Sequence, residues 1–155
     1  MILAVDPGMN TGWCFMENGE VVASGVKRVP KELKGKDVGE VFVLNSFWEW
    51  FSELVKAVEV NTFIIEVDEM YAGSAKSHAF FAKNVGKMER LIGGYMRVWA
   101  EDVDNLNIVM TTARKWKGQL TDDATRTRVE LITGKKYRQH EADAVGMGLN
   151  YFGKF

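Results

Sequence analysis

Two carboxylates in the sequence follow apolar runs and so differ from ordinary surface charges. Asp6 follows the run at residues 2–5, and Glu66 follows the run at residues 63–65. Short apolar runs of this kind are typical of buried strands. A buried carboxylate costs several kcal/mol unless a cation or hydrogen bonds compensate for the lost water. If the two strands are neighbours, both carboxylates converge at one edge of a sheet.

A second pair of candidate ligands lies near the end of the sequence. His140 and Asp143 are three residues apart, so on a helix they share a face. Small residues alternate with them at 142, 144 and 146, which suits tight packing of that helix on a sheet. With Asp6 and Glu66 they form a set of mostly oxygen ligands, which favours Mg²⁺ or Mn²⁺ over a structural zinc. Two such ions can hydrolyse a phosphodiester.

Each of these residues also has a plainer interpretation when it is taken alone. Asp6 could form a turn, Glu66 could pair with a lysine, and His140 and Asp143 could be ordinary helix residues. Their joint occurrence is what indicates a metal-dependent site.

Three further acidic residues lie close to these positions in the sequence. Asp68 and Glu69 follow the second run directly and are expected on a loop, from which Asp68 could approach the metals. Glu141 should point away from the face that carries Asp143.

The elements that must position these residues follow from the apolar pattern. Strands are expected at 2–5, 13–16 and 21–26, with a turn at 7–12 and a hairpin at Asn18-Gly19. A loop at 27–39, a helix at 41–58 and a strand at 62–67 follow. The rest comprises a helix from Ser74 to about Trp99, a strand at 107–110, and helices at 113–117, from Thr121 to about 134, and at 139–151. This order predicts one α/β domain over residues 1–155, with the first three strands antiparallel.

Charge and composition exclude several classes of protein. The net charge of −1 is not that of a protein that coats nucleic acid without specificity. Residues 111–138 nevertheless hold eight basic and three acidic side chains, so one face can bind a phosphate backbone. The single cysteine, Cys14, excludes an internal disulfide and is expected to be buried. With no apolar run long enough for a membrane and no signal peptide, we expect a cytoplasmic protein.

Three motifs resemble those of the RuvC-like Holliday-junction resolvases, which belong to the ribonuclease H superfamily. Residues 2–8 with Thr11-Gly12-Trp13 resemble the first motif, residues 63–66 the second, and residues 140–144 the last. The resemblance implies a ribonuclease H-like mixed five-stranded sheet flanked by helices. It also implies a homodimer that makes paired symmetric nicks in four-way DNA junctions. Asp6, Glu66, His140 and Asp143 would carry hydrolysis with two Mg²⁺ ions, for which Mn²⁺ can substitute, and Asp6 would bridge both.

The resemblance also implies contacts with the DNA. An aromatic residue inserted near the junction centre would be Tyr71, while Phe80 and Phe81 are expected in the core. Residues near the scissile phosphate would come from the region that holds Thr111, Arg114, Lys115 and Lys117. The dimer contact would use the long helix, where Gly86, Gly93 and Gly94 fit either a dimer contact or close packing in the core.

Other functions remain open at this stage. A nuclease of the same fold could act on structured RNA, and a junction-binding protein could lack catalysis. A sugar-kinase or actin-like ATPase also opens with Asp-x-Gly, but 155 residues are too few for its two domains, and no Walker A loop is present.

Overall fold

The computed structural model describes residues 1–30, 40–67, 75–104 and 107–155, with the backbone alone over 40–41 and 75–88. Within these residues the elements are β1 (Ile2–Asp6), β2 (Asn10–Glu17), β3 (Glu20–Arg28), α1 (Glu40–Lys56), β4 (Thr62–Glu66), α2 (Ala75–Asp102), β5 (Ile108–Thr111), α3 (Ala113–Trp116), α4 (Asp122–Thr133) and α5 (Gln139–Tyr151). The predicted order of elements is confirmed.

The five strands form one mixed sheet in the order β3-β2-β1-β4-β5. β1 and β2 are antiparallel, as are β2 and β3, whereas β4 runs parallel to both β1 and β5. The hairpin turns at Asn18 and Gly19, whose φ angles of 52° and 78° suit a tight turn between twisted strands. The predicted α/β class and the antiparallel first three strands are therefore confirmed.

The hairpin of β2 and β3 is longer than the sequence pattern predicts. The turn expected at 7–12 ends before Asn10, and the loop expected from residue 27 begins after Arg28. Backbone pairing explains both differences, because Asn10 pairs with Arg28 and Thr11 with Lys27. Polar side chains at the end of an antiparallel pair can face solvent while their backbone groups stay bonded.

Each face of the sheet carries its own hydrophobic core. α1 and α2 cover one face, over buried residues such as Leu3, Val5 and Phe63. α3, α4 and α5 cover the other face, which includes Ile2, Ala4 and Ile64. Successive residues of a strand point to opposite faces, so Asp6 and Glu66 point to the α5 side, as Ala4 and Ile64 do.

The glycines of α2 differ in their surroundings. A Cβ on Gly94 would overlap the indole of Trp48 on α1, so this glycine permits the two helices to pack closely. Gly93 has open space around it. Core packing therefore accounts for Gly94, and no partner chain is needed to explain it.

The ends of the later helices lie where the sequence predicts them. Thr121 caps α4 by accepting a hydrogen bond from the Ala124 amide at 3.3 Å, and Gly134 ends the helix with a φ of 70°.

Cys14 is fully buried, and burial raises the pKa of its thiol to about 12. None of the described helices has the length and hydrophobicity that a membrane span requires.

Candidate active site

Asp6 and Glu66 lie at the same edge of the sheet because β1 and β4 are parallel neighbours. Val5 pairs with Ile65, so the two acidic residues follow at matching positions. Asp6 is buried, with 9% of its surface exposed, and Glu66 is partly buried. The convergence that the sequence predicts is therefore present.

The turn after Asp6 is held by a buried threonine. The Thr11 hydroxyl donates to the Gly8 carbonyl at 2.6 Å and also accepts a hydrogen bond from the Gly8 amide at 3.2 Å. It lies 3.1 Å from the Tyr95 hydroxyl on α2. The end of β1 is thus fixed from the opposite face of the sheet.

Close contact between α5 and the sheet brings two more candidate ligands to this edge. A Cβ on Gly12 would overlap the backbone carbonyl of His140, so a glycine is needed where β2 meets the start of α5. Ala142, Ala144 and Gly146 are all buried, but the space beside Gly146 is filled by Trp116 of α3 and Val129 of α4 rather than by the sheet. The helix therefore places His140 and Asp143 directly over Asp6.

Asp6, His140 and Asp143 form a compact group of potential metal ligands. Their ligand atoms all lie within 4.8 Å of one another. Nδ1 of His140 lies 2.8 Å from Oδ2 of Asp6, and this hydrogen bond raises the pKa of the histidine. Asp143 is 5% exposed. These three side chains could hold a metal ion.

Glu66 lies beside this group and has a different partner. The indole Nε1 of Trp116 donates to Oε2 of Glu66 at 2.6 Å. Burial raises the pKa of Glu66 to about 7, and the charge of Asp6 adds to the effect. Burial likewise raises the pKa of Asp6, against the hydrogen bond from His140. Both carboxyl groups are therefore harder to ionise in the folded protein than in water.

Lys117 forms an ion pair with one of the carboxylates of the site. Its ammonium lies 3.2 Å from Oδ1 of Asp143 and 3.0 Å from Oδ1 of Asp122, and its side chain is 13% exposed. Burial alone would lower the pKa of Lys117, but the charge of Asp143 and the two hydrogen bonds raise it overall. One lysine and one histidine do not balance three clustered carboxylates.

Sequence reasoning missed two residues of the site. Besides Trp116, it missed Gln139, whose Nε2 donates to Oδ2 of Asp143 at 3.2 Å. Gln139 lies four residues before Asp143 on a predicted helix, so its spacing was an available signal. Trp116 lies within a basic segment, and only its position beyond β5 connects it with Glu66.

The other predicted residues are distributed as follows. Thr111 ends β5 opposite Glu66, and Arg114 and Lys115 are exposed on α3. Glu141 turns away from Asp143, as predicted, and accepts a hydrogen bond from Ser24 on β3 at 2.7 Å. Outside the described residues lie Asp68, Glu69, Tyr71 and Ser74 and the side chains of Phe80 and Phe81.

Comparison with known proteins rests on structure alone. No protein-family model matches the sequence, and no curated protein sequence matches it either. A structure of T. thermophilus RuvC in complex with Holliday junction substrate superposes with a TM-score of 0.75 at 13% identity, covering 97% of this chain and 92% of that one. The chain has the RuvC fold. A second Thermus thermophilus RuvC structure gives a TM-score of 0.67 at 14% identity, covering 97% of this chain and 93% of that one.

A eukaryotic relative of the RuvC fold is also similar. The yeast mitochondrial Holliday junction resolvase Ydc2 superposes with a TM-score of 0.61 at 12% identity, covering 97% of this chain and 77% of that one. These superpositions confirm the predicted ribonuclease H-like fold. Because the sequence identities are low, the similarity concerns the fold alone. What the side chains do must be argued from their own geometry.

Proposed function

We propose that this protein is a metal-dependent endonuclease that resolves four-way DNA junctions by paired symmetric nicks. The observation that carries the proposal is the cluster of Asp6, His140 and Asp143, with Glu66 beside it, at one edge of a RuvC-fold sheet. The RuvC structure that gives the TM-score of 0.75 holds a Holliday junction substrate, which supports branched DNA as the substrate class.

The donor set fits divalent magnesium or manganese. Carboxylate oxygens with one imidazole suit such ions, and because burial raises the pKa of Asp6 and of Glu66, a bound cation would favour the ionised forms that coordinate it. Asp6, His140 and Asp143 would hold one ion, and Glu66 would hold a second that Asp6 shares. When bound, two such ions supply an activated water and stabilise the leaving oxygen of the phosphodiester.

The chain's own residues bind and orient the substrate in this proposal. Lys117 neutralises Asp143 in the free protein and would turn toward a phosphate when Asp143 takes a cation. Arg114 and Lys115 are exposed on the adjacent α3 and would bind the backbone of the DNA, with Thr111 at the end of β5 beside them. Tyr71 remains the proposed junction-inserting aromatic residue.

A homodimer and a single nuclease domain complete the proposal. Paired nicks on opposite strands of a junction require two sites, which two copies related by a twofold axis would present. The long helix α2 is the proposed contact between the copies. Size-exclusion chromatography with light scattering, with and without a junction, measures the number of chains.

The decisive experiment is a Mg²⁺ and Mn²⁺ titration of nicking on a mobile synthetic four-way junction, beside linear duplex and structured RNA. We expect metal-dependent nicks in the junction only. Preferred cleavage of the RNA would move the assignment to an RNA-processing nuclease, and binding without metal-dependent nicks would indicate a junction-binding protein.

Asp6→Asn tests the site itself. The change keeps the shape of the side chain but removes the charge that a cation needs, so we expect cleavage to be abolished and junction binding to remain. Gel-shift and nicking assays on the same junction measure the two properties. Wild-type cleavage by Asp6→Asn would rule out the assigned site.

A further inference from the structure

We infer that Trp116 is a positioning residue whose indole N–H holds one oxygen of Glu66 and so limits that carboxylate to binding a cation through its other oxygen. The inference rests on the proposed function, because it concerns the metal that the nuclease site would take. Nε1 of Trp116 lies 2.6 Å from Oε2 of Glu66, and the tryptophan is 4% exposed. A hydrogen bond to an ionised acceptor in a buried place is among the stronger kinds in proteins.

The indole is held in place on several sides. Gly146 of α5 leaves room for the ring, since a Cβ there would lie 2.6 Å from Cζ3 of Trp116, and Val129 of α4 packs at the same place. The ring of Phe155 has its centroid 5.4 Å away. At the backbone, the Trp116 amide donates to the Thr112 carbonyl at 3.2 Å. The ring therefore has little room to follow Glu66 if that side chain rotates.

The other buried indoles of the described chain make no such contact. Nε1 of Trp48 and Nε1 of Trp99 are both buried without a hydrogen-bond partner among the described residues. Packing therefore suffices to explain a buried tryptophan in this protein. The bond from Trp116 to Glu66 is a particular feature of the site edge.

α3 and the residue after it contact two of the site acids at once. Trp116 donates to Glu66, and the next residue, Lys117, donates to Asp143. The ammonium of Lys117 also lies 5.3 Å from the centroid of the Trp116 ring. Both side chains are thereby tied to one short segment after β5.

Limiting Glu66 to one oxygen has a consequence for metal choice. Mg²⁺ takes single oxygens in a tight octahedron, whereas Ca²⁺ is larger and readily accepts both oxygens of one carboxylate. With Oε2 committed to the indole, two-oxygen binding of Ca²⁺ is disfavoured. Trp116 would thus favour the smaller cation over the larger one.

Calorimetric titration of the metal-free protein, without DNA, tests this inference. MgCl₂ and CaCl₂ are titrated separately into the wild type, Trp116→Phe and Trp99→Phe. Trp116→Phe removes the N–H and keeps an aromatic ring, while Trp99→Phe removes a buried indole that has no partner. We expect the ratio of the two dissociation constants to shift toward Ca²⁺ by about tenfold in Trp116→Phe, the size of one hydrogen bond to a charged group. Trp99→Phe should keep the wild-type ratio.

Indole resonances in ¹H–¹⁵N spectra give a second readout that needs neither catalysis nor DNA. The Trp116 signal is assigned in the wild type by through-bond spectra of the isotope-labelled protein, which do not depend on any variant. We expect it to move when Mg²⁺ is added, and to move upfield in Glu66→Gln because the acceptor loses its charge. The Trp99 signal serves as the reference that stays in place.

An unchanged Mg²⁺ to Ca²⁺ ratio in folded Trp116→Phe would overturn the inference, and so would a wild type that binds neither ion. Where Trp116→Phe does not fold, the indole shift in Glu66→Gln decides the matter, and a fixed signal would overturn the inference. A Trp116-dependent ratio in a protein that cuts no junction supports the inference and contradicts the proposed function alone.

Discussion

The two sides of the site are built in different ways. α5 places His140 and Asp143 by laying its backbone directly on the sheet, with Gly12 at the contact. α3 has only four residues and reaches the acids through long side chains from Trp116 and the adjoining Lys117. Backbone contact fixes the ligands of the α5 side, while hydrogen bonds and one ion pair tune those of the α3 side. Substitutions on the α5 side should therefore lower the free energy of unfolding more than substitutions on the α3 side.

Gly12→Ala is expected to have the largest effect. The added Cβ would overlap the backbone carbonyl of His140, and backbone atoms cannot move aside as a flexible side chain can. We expect a loss of at least about 3 kcal/mol in the free energy of unfolding, together with loss of metal binding. Urea unfolding and calorimetry measure the two effects.

Gly93→Ala is the matched control for Gly12→Ala. Gly93 lies within α2 and has open space where a Cβ would be added. Alanine should stabilise the helix by about 0.5–1 kcal/mol. A Gly12→Ala variant as stable as the wild type would contradict the close contact between α5 and β2.

Lys117→Met should have the next largest effect, from the α3 side. Without the ammonium, Asp143 keeps a nearly buried charge that no lysine balances. We expect the metal-free protein to lose about 1–3 kcal/mol, less than for a fully buried pair, because the lysine side chain is 13% exposed. Thermal unfolding with and without Mg²⁺ measures this, and the metal should restore most of the loss. An equal loss in both conditions would show that Lys117 does not compensate for the missing cation.

The stability of the metal-free protein should fall as the pH rises from about 5 to 8. Burial raises the pKa of Glu66 to about 7, so the folded state binds a proton that the unfolded state releases above its ordinary pKa of 4.5. When the folded state binds more protons than the unfolded state, the free energy of unfolding falls as the pH rises. The raised pKa of Asp6 and that of His140 act in the same direction.

Glu66→Gln measures how much of this loss in the free energy of unfolding comes from Glu66. Over the whole pH range that part is at most about 3 kcal/mol. Urea unfolding at a series of pH values, without metal, should give a flatter profile for the variant. A slope identical to that of the wild type would show that Glu66 ionises normally in the folded protein.

Among the substitutions at the site, Gly146→Ala should have the smallest effect on stability, at about 1–2 kcal/mol. The added Cβ meets the far edge of the Trp116 ring, which can tilt at the cost of its bond to Glu66. The expected signature is the same change in Mg²⁺ to Ca²⁺ preference as in Trp116→Phe. A variant that loses stability but keeps the wild-type preference would separate ring packing from the bond to Glu66.

The α5 side of the site could be predicted from the sequence, and the α3 side largely could not. Asp6 and Glu66 each follow an apolar run, and His140 and Asp143 share helical spacing. These signals are local and are expressed in backbone geometry, so they carry over to the fold. The bond between Trp116 and Glu66 joins two distant segments, and no periodicity encodes it.

The same distinction accounts for the differences between the predicted fold and the observed one. Strand and helix order followed from apolar periodicity and from the Asn18-Gly19 turn. The ends of β2 and β3 did not follow from this pattern. Lys27 and Arg28 pair through their backbone, whereas their polar side chains are typical of a loop. Likewise, Lys117 was expected near DNA because of its charge, but its contacts with Asp122 and Asp143 depend on how α3, α4 and α5 meet.

The packing of α5 on β1 and β2 has a consequence for synthesis of the protein on the ribosome. A growing chain that has produced all five strands already carries Asp6 and Glu66 but lacks His140 and Asp143, which arrive with the last helix. Until that helix has emerged and docked, the ligand cluster does not exist. Under the proposed function, an unfinished copy would therefore lack the group of candidate metal ligands, and hydrolysis would require α5 to have left the ribosome and docked on the sheet.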